Sequence, residues 1–194
     1  MKFNPIKLYS AIKSISPNLQ YSCVGDCYEG LTWYNDEYKP TEEEIVIKIA
    51  ELEYQEEVNE YQRQRAAEYP SYDTQFDKIF HEGVDAWKAD IQAIKDKYPK
   101  ATMDTTELQT RKDKAIFDLQ TERYVAATKR LELDAVVASD DIPATVEVST
   151  TNPETMEVTT ETVANPVIVK DEQERASAQA VVDATPQPVI DSLG

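Results

Sequence analysis

Thr41-Glu42-Glu43-Glu44-Ile45-Val46-Ile47-Lys48-Ile49-Ala50-Glu51-Leu52 is the stretch on which the fold turns. Thr41 and Glu44 stand at the spacing of a capping box, in which hydroxyl and carboxylate each accept a hydrogen bond from an orphan backbone N–H at a helix start. Glu42 and Glu43 place further negative charge at the positive end of the helix dipole. The pattern predicts a helix over residues 42–67, with Ile45, Ile49 and Leu52 on the face that meets the preceding chain. Beyond Leu52 the large side chains thin to Tyr54, Val58 and Tyr61 among charges, so the far end is expected to project.

Working upstream, residues 35–40 read as loop. Residues 19–24 and 30–34 read as a β-hairpin turning through Gly25-Asp26, its second strand rich in β-forming Leu31, Thr32, Trp33 and Tyr34. Before it, Asn4 is a good N-cap and Pro5 suits the first helical position. Ile6, Tyr9, Ile12 and Ile15 then recur along one face until Ser16-Pro17-Asn18 stops the helix. Residues 1–65 are thus expected to form a small α-β-β-α domain with a projecting helix. A two-stranded hairpin is marginal unless helices pack on it. Trp33, Tyr34 and Tyr38, with Tyr9 and Tyr28, make either core plus an exposed edge or an aromatic protein-binding face.

Working downstream, Tyr69-Pro70 breaks the helix, because the residue before proline avoids helical geometry. Residues 66–100 read as a helical hairpin, with helices over 73–82 and 85–98 hinged at Gly83. Phe76, Ile79 and Phe80 are expected to face Trp87, Ile91 and Ile94, and Pro99 closes the pair. Residues 101–138 read as one long amphipathic helix capped by Asp104 or Thr105. Its stripe of Leu108, Ala115, Ile116, Leu119 and Ala126 is too thin for its own core. Leu108 and Leu119 are therefore assigned to another chain or to the helical pair.

The alphabet changes at Ser139. The last aromatic residue is Tyr124, and the many acidic residues after 139 face only Lys170 and Arg175. Low apolar bulk and high charge do not offset chain entropy, so residues 139–194 are expected to form an extended acidic tail ordered only on a partner. Short β-prone alternation appears at residues 145–148, 157–163 and 166–169, and residues 171–184 look helical. Val146, Val148, Val167 and Val169 are the side chains that strand addition or groove binding would use. The fold class expected is α+β and mostly helical.

A formal charge of −17 and a pI near 4.4 offer no counterion-release gain to nucleic acid, which is not expected as a partner. No apolar run approaches the roughly 18–20 residues that cross a bilayer, and residues 1–10 lack the layout of a signal peptide. The reading is a soluble product made in the cytoplasm, with no membrane partner. Cys23 and Cys27 lack the companion ligands of a tetrahedral metal site, and their spacing differs from the redox motif, so they read as reduced thiols flanking a turn. Asp140-Asp141 could hold calcium but lacks the alternating ligands of an EF-hand and reads as a solvated acidic turn. Gly25 and Gly83 read as turn glycines. His81 beside Asp77 and Glu82 has no nucleophile to activate and reads as a helix-end histidine. No catalytic, cofactor-binding or metal residue is assigned, no cofactor is expected, and the chain is not expected to be an enzyme.

The residues from Ile6-Lys7-Leu8-Tyr9-Ser10-Ala11-Ile12-Lys13, through Trp33-Tyr34-Asn35, to Lys39-Pro40-Thr41-Glu42-Glu43-Glu44 resemble the XkdW family of phage tail-region proteins. Arg65-Ala66-Ala67-Glu68-Tyr69-Pro70, Gln75-Phe76-Asp77 and Lys95-Asp96-Lys97-Tyr98-Pro99 are similar to a tyrosine-proline module found near tail-fibre and tail-assembly genes. The chain departs from that module at Ser71-Tyr72-Asp73, where an Ile-Gly pair is usual. The two resemblances cover about the first half of the chain and carry over no catalytic residue. They imply a structural component of the virion of a tailed bacteriophage, in its tail, baseplate or fibre-attachment region, made in the host cytoplasm. Its implied partners are other tail, baseplate and fibre proteins, and a homo-oligomer is compatible with the reading. The alternative is a tail or tail-fibre assembly chaperone absent from the mature particle.

Overall fold

The computed structural model describes every residue except Asp140, Asn152, Glu154, Thr155, Met156 and Gly194. Asp140, one half of the acidic pair weighed for calcium, therefore lies outside the described residues. In chain order the elements are α1 (Pro5–Ile15), β1 (Tyr21–Cys23), β2 (Leu31–Trp33), α2 (Glu42–Glu68), α3 (Tyr72–Glu82), α4 (Val84–Lys97), α5 (Thr105–Glu132), β3 (Thr145–Thr151), β4 (Val158–Ala164), α6 (Pro166–Ala184) and α7 (Gln187–Asp191). The fold is α+β and mostly helical, with two separate antiparallel strand pairs, β1-β2 and β3-β4. The chain forms two compact units, Met1–Ile116 and Phe117–Gly194.

The first unit is built on the α2 capping box. Glu44 N donates to Thr41 Oγ1 at 3.2 Å and Thr41 N donates to Glu44 Oε2 at 2.8 Å. Ile45, Val46, Ala50 and Tyr54 are buried along the first half of α2, while Ile49 and Leu52 are only half-buried. This face meets α1, where Leu8, Ala11 and Ile12 go inside. The stripe expected at Ile6 and Tyr9 is corrected. Both are exposed, because a strict three-residue step drifts off a helix with 3.6 residues per turn, and Leu8-Ala11-Ile12 follows the true period. With Phe3 and Leu19 these side chains make the core, each large one contributing roughly 1.5–3 kcal/mol by leaving water.

The hairpin on this core is shorter than expected, with Tyr21 paired to Trp33 and Cys23 to Leu31. Its connection holds a single 3-10 turn at Tyr28–Gly30. Gly30 is needed there because a Cβ would lie 1.9 Å from the Val24 carbonyl oxygen. Asn35 closes the base, accepting from Gln20 N at 3.0 Å and donating to Asn18 O at 3.0 Å.

Polar latches attach the other helices of this unit. Asp104 caps α5 by accepting from Thr106 N at 2.7 Å and Glu107 N at 3.2 Å. Tyr54 Oη accepts from Asp104 N at 3.0 Å. Arg111 lies 4.5 Å over the Tyr54 ring and pairs with Glu57 at 2.8 Å. The start of α5 thus lies against α2. Arg65, near the end of α2, donates to the last carbonyls of α4, Tyr98 O at 2.8 Å and Lys95 O at 3.1 Å.

In the second unit α5 ends at Glu132 rather than near residue 138. Around and beyond Glu132 the backbone groups of Leu131, Leu133 and Val136 bond to side chains of α6. Arg175 donates to Leu133 O at 2.6 Å and Leu131 O at 3.3 Å, and Val136 N donates to Asp171 Oδ2 at 3.1 Å. Asp171, with 8% of its side chain exposed, pairs with Arg130. Leu119, Ala127, Ala178 and Val189 are buried. The expected extended tail carries regular elements. β3 and β4 pair over seven residues each, from Thr145 with Ala164 to Thr151 with Val158. Residues 166–169, read as β-prone, are the first turn of α6, because Asn165 caps it by accepting from Val167 N at 3.0 Å and Pro166 fits the first position. Among the described residues no helix is long and apolar enough to cross a membrane.

Two predictions follow the helix ends. Thr41→Ala should lower the unfolding free energy by about 1 kcal/mol, read from denaturant midpoints, with Thr41→Ser retaining most of it. The Arg130 guanidinium, by hydrogen bonding, holds the Asp171 carboxyl below its usual range. A carboxyl pKa lowered by folding contributes stability above its unfolded value, about 3.9, and loses it as pH falls through the folded value. Asp171→Asn should therefore melt earlier than the parent at pH 7, and the gap should close below about pH 4.

Candidate docking surfaces

Ser71 starts α3 by accepting from Thr74 N at 3.4 Å, and Gly83, at φ 92°, ends it in a backbone region that favours glycine. Between them Tyr72, Phe76 and Phe80 recur every four residues, which stacks them as one ridge along the helix. All three point to solvent, at 79%, 68% and 83% exposure. The expected burial of Phe76 and Phe80 against α4 is corrected. The face that meets α4 is the neighbouring one, carrying Gln75, Lys78 and Ile79.

The reason is the polar chemistry between the two helices. Trp87 Nε1 donates to Gln75 Oε1 at 3.0 Å, and Lys78 bridges Asp90 at 2.7 Å and Glu82 at 3.1 Å. Those bonds hold α4 over Ile79, with Trp87, Ile91 and Ile94 half-buried in the seam. Asp90 and Glu82 hold the Lys78 ammonium above its usual pKa, chiefly by hydrogen bonding. The aromatic ridge is left outside, with Asp73, Asp77 and His81 along one flank. His81 Nε2 lies 3.3 Å from Asp77 Oδ1, and its ring meets Phe80 edge-on at 5.0 Å. This ridge is the surface that sequence reasoning missed. Its signal, three aromatic residues at four-residue spacing, was present but shared the helix with the Ile79 face.

The aromatic set near β2 divides. Trp33 is half-buried with its ring 5.9 Å from Tyr21 at a tilt of 56°. Tyr34 and Tyr38 are exposed. The Tyr34 and Ser22 hydroxyls are 2.6 Å apart, and Tyr38 Oη donates to Glu44 Oε1 at 2.5 Å. That bond raises the Tyr38 pKa and, with the Thr41 backbone N–H, lowers that of Glu44. Their rings are available while their hydroxyls serve the fold. Nearby, Ile6, Lys7, Ser10, Ile49 and Leu52 line a cleft of about 220 Å³ between α1 and α2.

Of the remaining candidates, Leu108 is half-buried, and Leu119 is fully buried within the chain and so presents nothing to a partner. Val146 and Val148 share one face of the β3-β4 hairpin with Val163, opposite Val146. Val167 and Val169 are not strand residues; Val167 lines an open cleft with Val136, Pro166 and Lys170. Both thiols are free, and among the described residues no group of three or more His, Cys, Asp and Glu could hold a metal ion. Comparison of the chain with protein-family models, curated proteins and solved structures finds no match.

Because the ridge is mostly in solvent, Phe76→Ser with Phe80→Ser should change the unfolding free energy by no more than about 0.5 kcal/mol. Ile45→Ala, in the core, should cost about 2–5 kcal/mol by the same denaturant titration.

Proposed function

We propose that the chain is a structural component of a tailed-bacteriophage virion, in the tail, baseplate or fibre-attachment region, and that it works by protein docking rather than catalysis. The observation that carries the reading is the α3 ridge of Tyr72, Phe76 and Phe80, whose rings are more than two-thirds exposed. Large aromatic side chains in such a row are the usual anchors of protein interfaces, and a solvent-facing row costs free energy until it is covered. Phe76 lies in the Gln75-Phe76-Asp77 part of the stretch that resembles a phage tail module, while Tyr72 falls where the chain departs from it, so chemistry and resemblance meet on the same helix at Phe76. Tyr34 and Tyr38 supply a second, smaller contact on the same unit. The other tail proteins are the partners, recognised by an apolar groove that takes aromatic knobs at helical spacing.

A chaperone reading rests on a different observation, the net charge of −17, which would keep an aggregation-prone client dispersed. Mass spectrometry of purified phage particles separates the two. The structural reading expects a constant copy number per particle, and loss of the chain from particles when Phe76→Ser and Phe80→Ser are combined in a chain that still folds. Particles that lack the wild-type chain, while infected cells hold it bound to a tail protein, would move the assignment to the chaperone.

A further inference from the structure

We infer that the β3-β4 hairpin is an acceptor for strand addition, and that its occupant is an extended, lysine- or arginine-bearing segment of another protein. The geometry begins with the ladder. Asn165 N donates to Ala144 O at 3.0 Å, one step beyond the Thr145 and Ala164 pair. Antiparallel ladders alternate bonded and non-bonded pairs, so the groups of Val146, Val148 and Thr150 turn inward to β4. Those of Thr145, Glu147, Ser149 and Thr151 turn outward, as do those of Val158, Thr160, Thr162 and Ala164 on the other edge. Among the described residues no third strand joins either edge.

The only charges on those two strands are the carboxylates of Glu147 and Glu161, which repel a like strand and leave a cationic one free to pair. Natural proteins blunt an open edge with proline, lysine, a bulge or a cover, and β3 and β4 contain no proline, no lysine and an unbroken register. Both strands are solvent-exposed along nearly their whole length, and a lone pair of strands gains stability from a third. The segment is rich in valine and threonine, which suit a pleated surface. Main-chain bonding gives the affinity of strand addition, and side chains give its selectivity.

Charge selects the occupant. From Leu131 to Val169 the chain carries Glu132, Asp134, Asp141, Glu147, Glu157 and Glu161 among its acidic residues and no lysine, arginine or histidine. Glu147 and Glu161 lie on opposite faces of the hairpin, opposite Thr162 and Val148 respectively. A second copy would bring two strands of the same negative charge edge to edge, an arrangement that strand pairing disfavours. A cationic strand gains at both glutamates. The inference concerns the second unit alone and stands whether or not the α3 ridge docks in a phage tail.

The test uses the full chain and a short fluorescent peptide that alternates lysine with valine and threonine. Anisotropy should show binding that weakens as salt rises, with no binding of a peptide carrying glutamate in place of lysine. A lysine peptide interrupted by proline should bind about tenfold more weakly, the loss expected of one or two main-chain hydrogen bonds. Ser149→Pro combined with Thr160→Pro removes an outward N–H from each edge and the hydroxyl contact between the two side chains, spares the backbone bonds between β3 and β4, and should weaken the uninterrupted peptide to the same degree. Equal binding of the proline-interrupted peptide would reduce the effect to charge alone and overturn the inference, whatever the double variant does to folding. No binding of the lysine peptide would overturn it as well. A dimer in sedimentation that the double variant abolishes would make a second copy the occupant and overturn the choice of a cationic partner.

Discussion

Cations are scarce in a chain with 37 acidic and 20 basic residues, and four arginines hold helix ends and helix pairs together. Arg65 takes the final carbonyls of α4, Arg111 spans Tyr54, Glu57 and Glu107, Arg130 pairs with Asp171 and Glu174, and Arg175 takes the carbonyls that end α5. A guanidinium can do this because its planar fork serves several acceptors at once and stays charged when half-buried. Arg65 and Arg175 also answer a backbone need, since the last turn of a helix leaves carbonyls without partners. Truncating such a residue leaves several groups unpaired at once, which is costlier than losing one surface ion pair.

The latches explain where the bulky apolar residues went. In the first unit the α1-α2 core is closed by Leu8, Ile12, Leu19, Ile45 and their neighbours. The helical pair that follows contains no buried residue in either helix. Held by Gln75, Lys78, Arg65 and by Glu68, whose carboxylate accepts from Lys97 and from the Tyr98 hydroxyl, it does not need its phenylalanines inside, and they are free to form an outward ridge. A helix whose attachment is polar and whose exposed face is aromatic inverts the usual arrangement of an amphipathic helix. That inversion leaves a row of large aromatic side chains in solvent.

The second unit follows a related economy. Its buried apolar side chains are few and small, apart from Leu119 and Val189, and the Arg130, Asp171 and Arg175 cluster carries the join between the end of α5 and α6. Asn165 ties the strand pair to that join, donating to Pro143 O at 2.8 Å while it caps α6. The hairpin is thus anchored at its base and solvent-exposed along most of its length, so its edges are open to pairing.

Local chemistry made much of this readable from residues alone. The capping box at Thr41 and Glu44, the Asn4 cap, the Pro70 break, the Gly83 hinge and the Asp104 cap are short-range devices, satisfied within a few residues of chain. They determine where helices begin and end without reference to anything distant, and with them the α+β, mostly helical class. Which face of a helix goes inward is another matter where two faces compete. On α3 the Phe76 and Ile79 faces both qualify by period, and the choice fell to Trp87 and Asp90, twelve residues from their partners Gln75 and Lys78. The end of α5 was likewise decided by Arg175 and Asp171 on another helix, and Leu119 was drawn inside although its stripe looked too thin to be a core. Caps and turns are written in the sequence because their energy is local; the assignment of faces belongs to the tertiary structure, because it is set by hydrogen-bonding partners that only folding brings within reach.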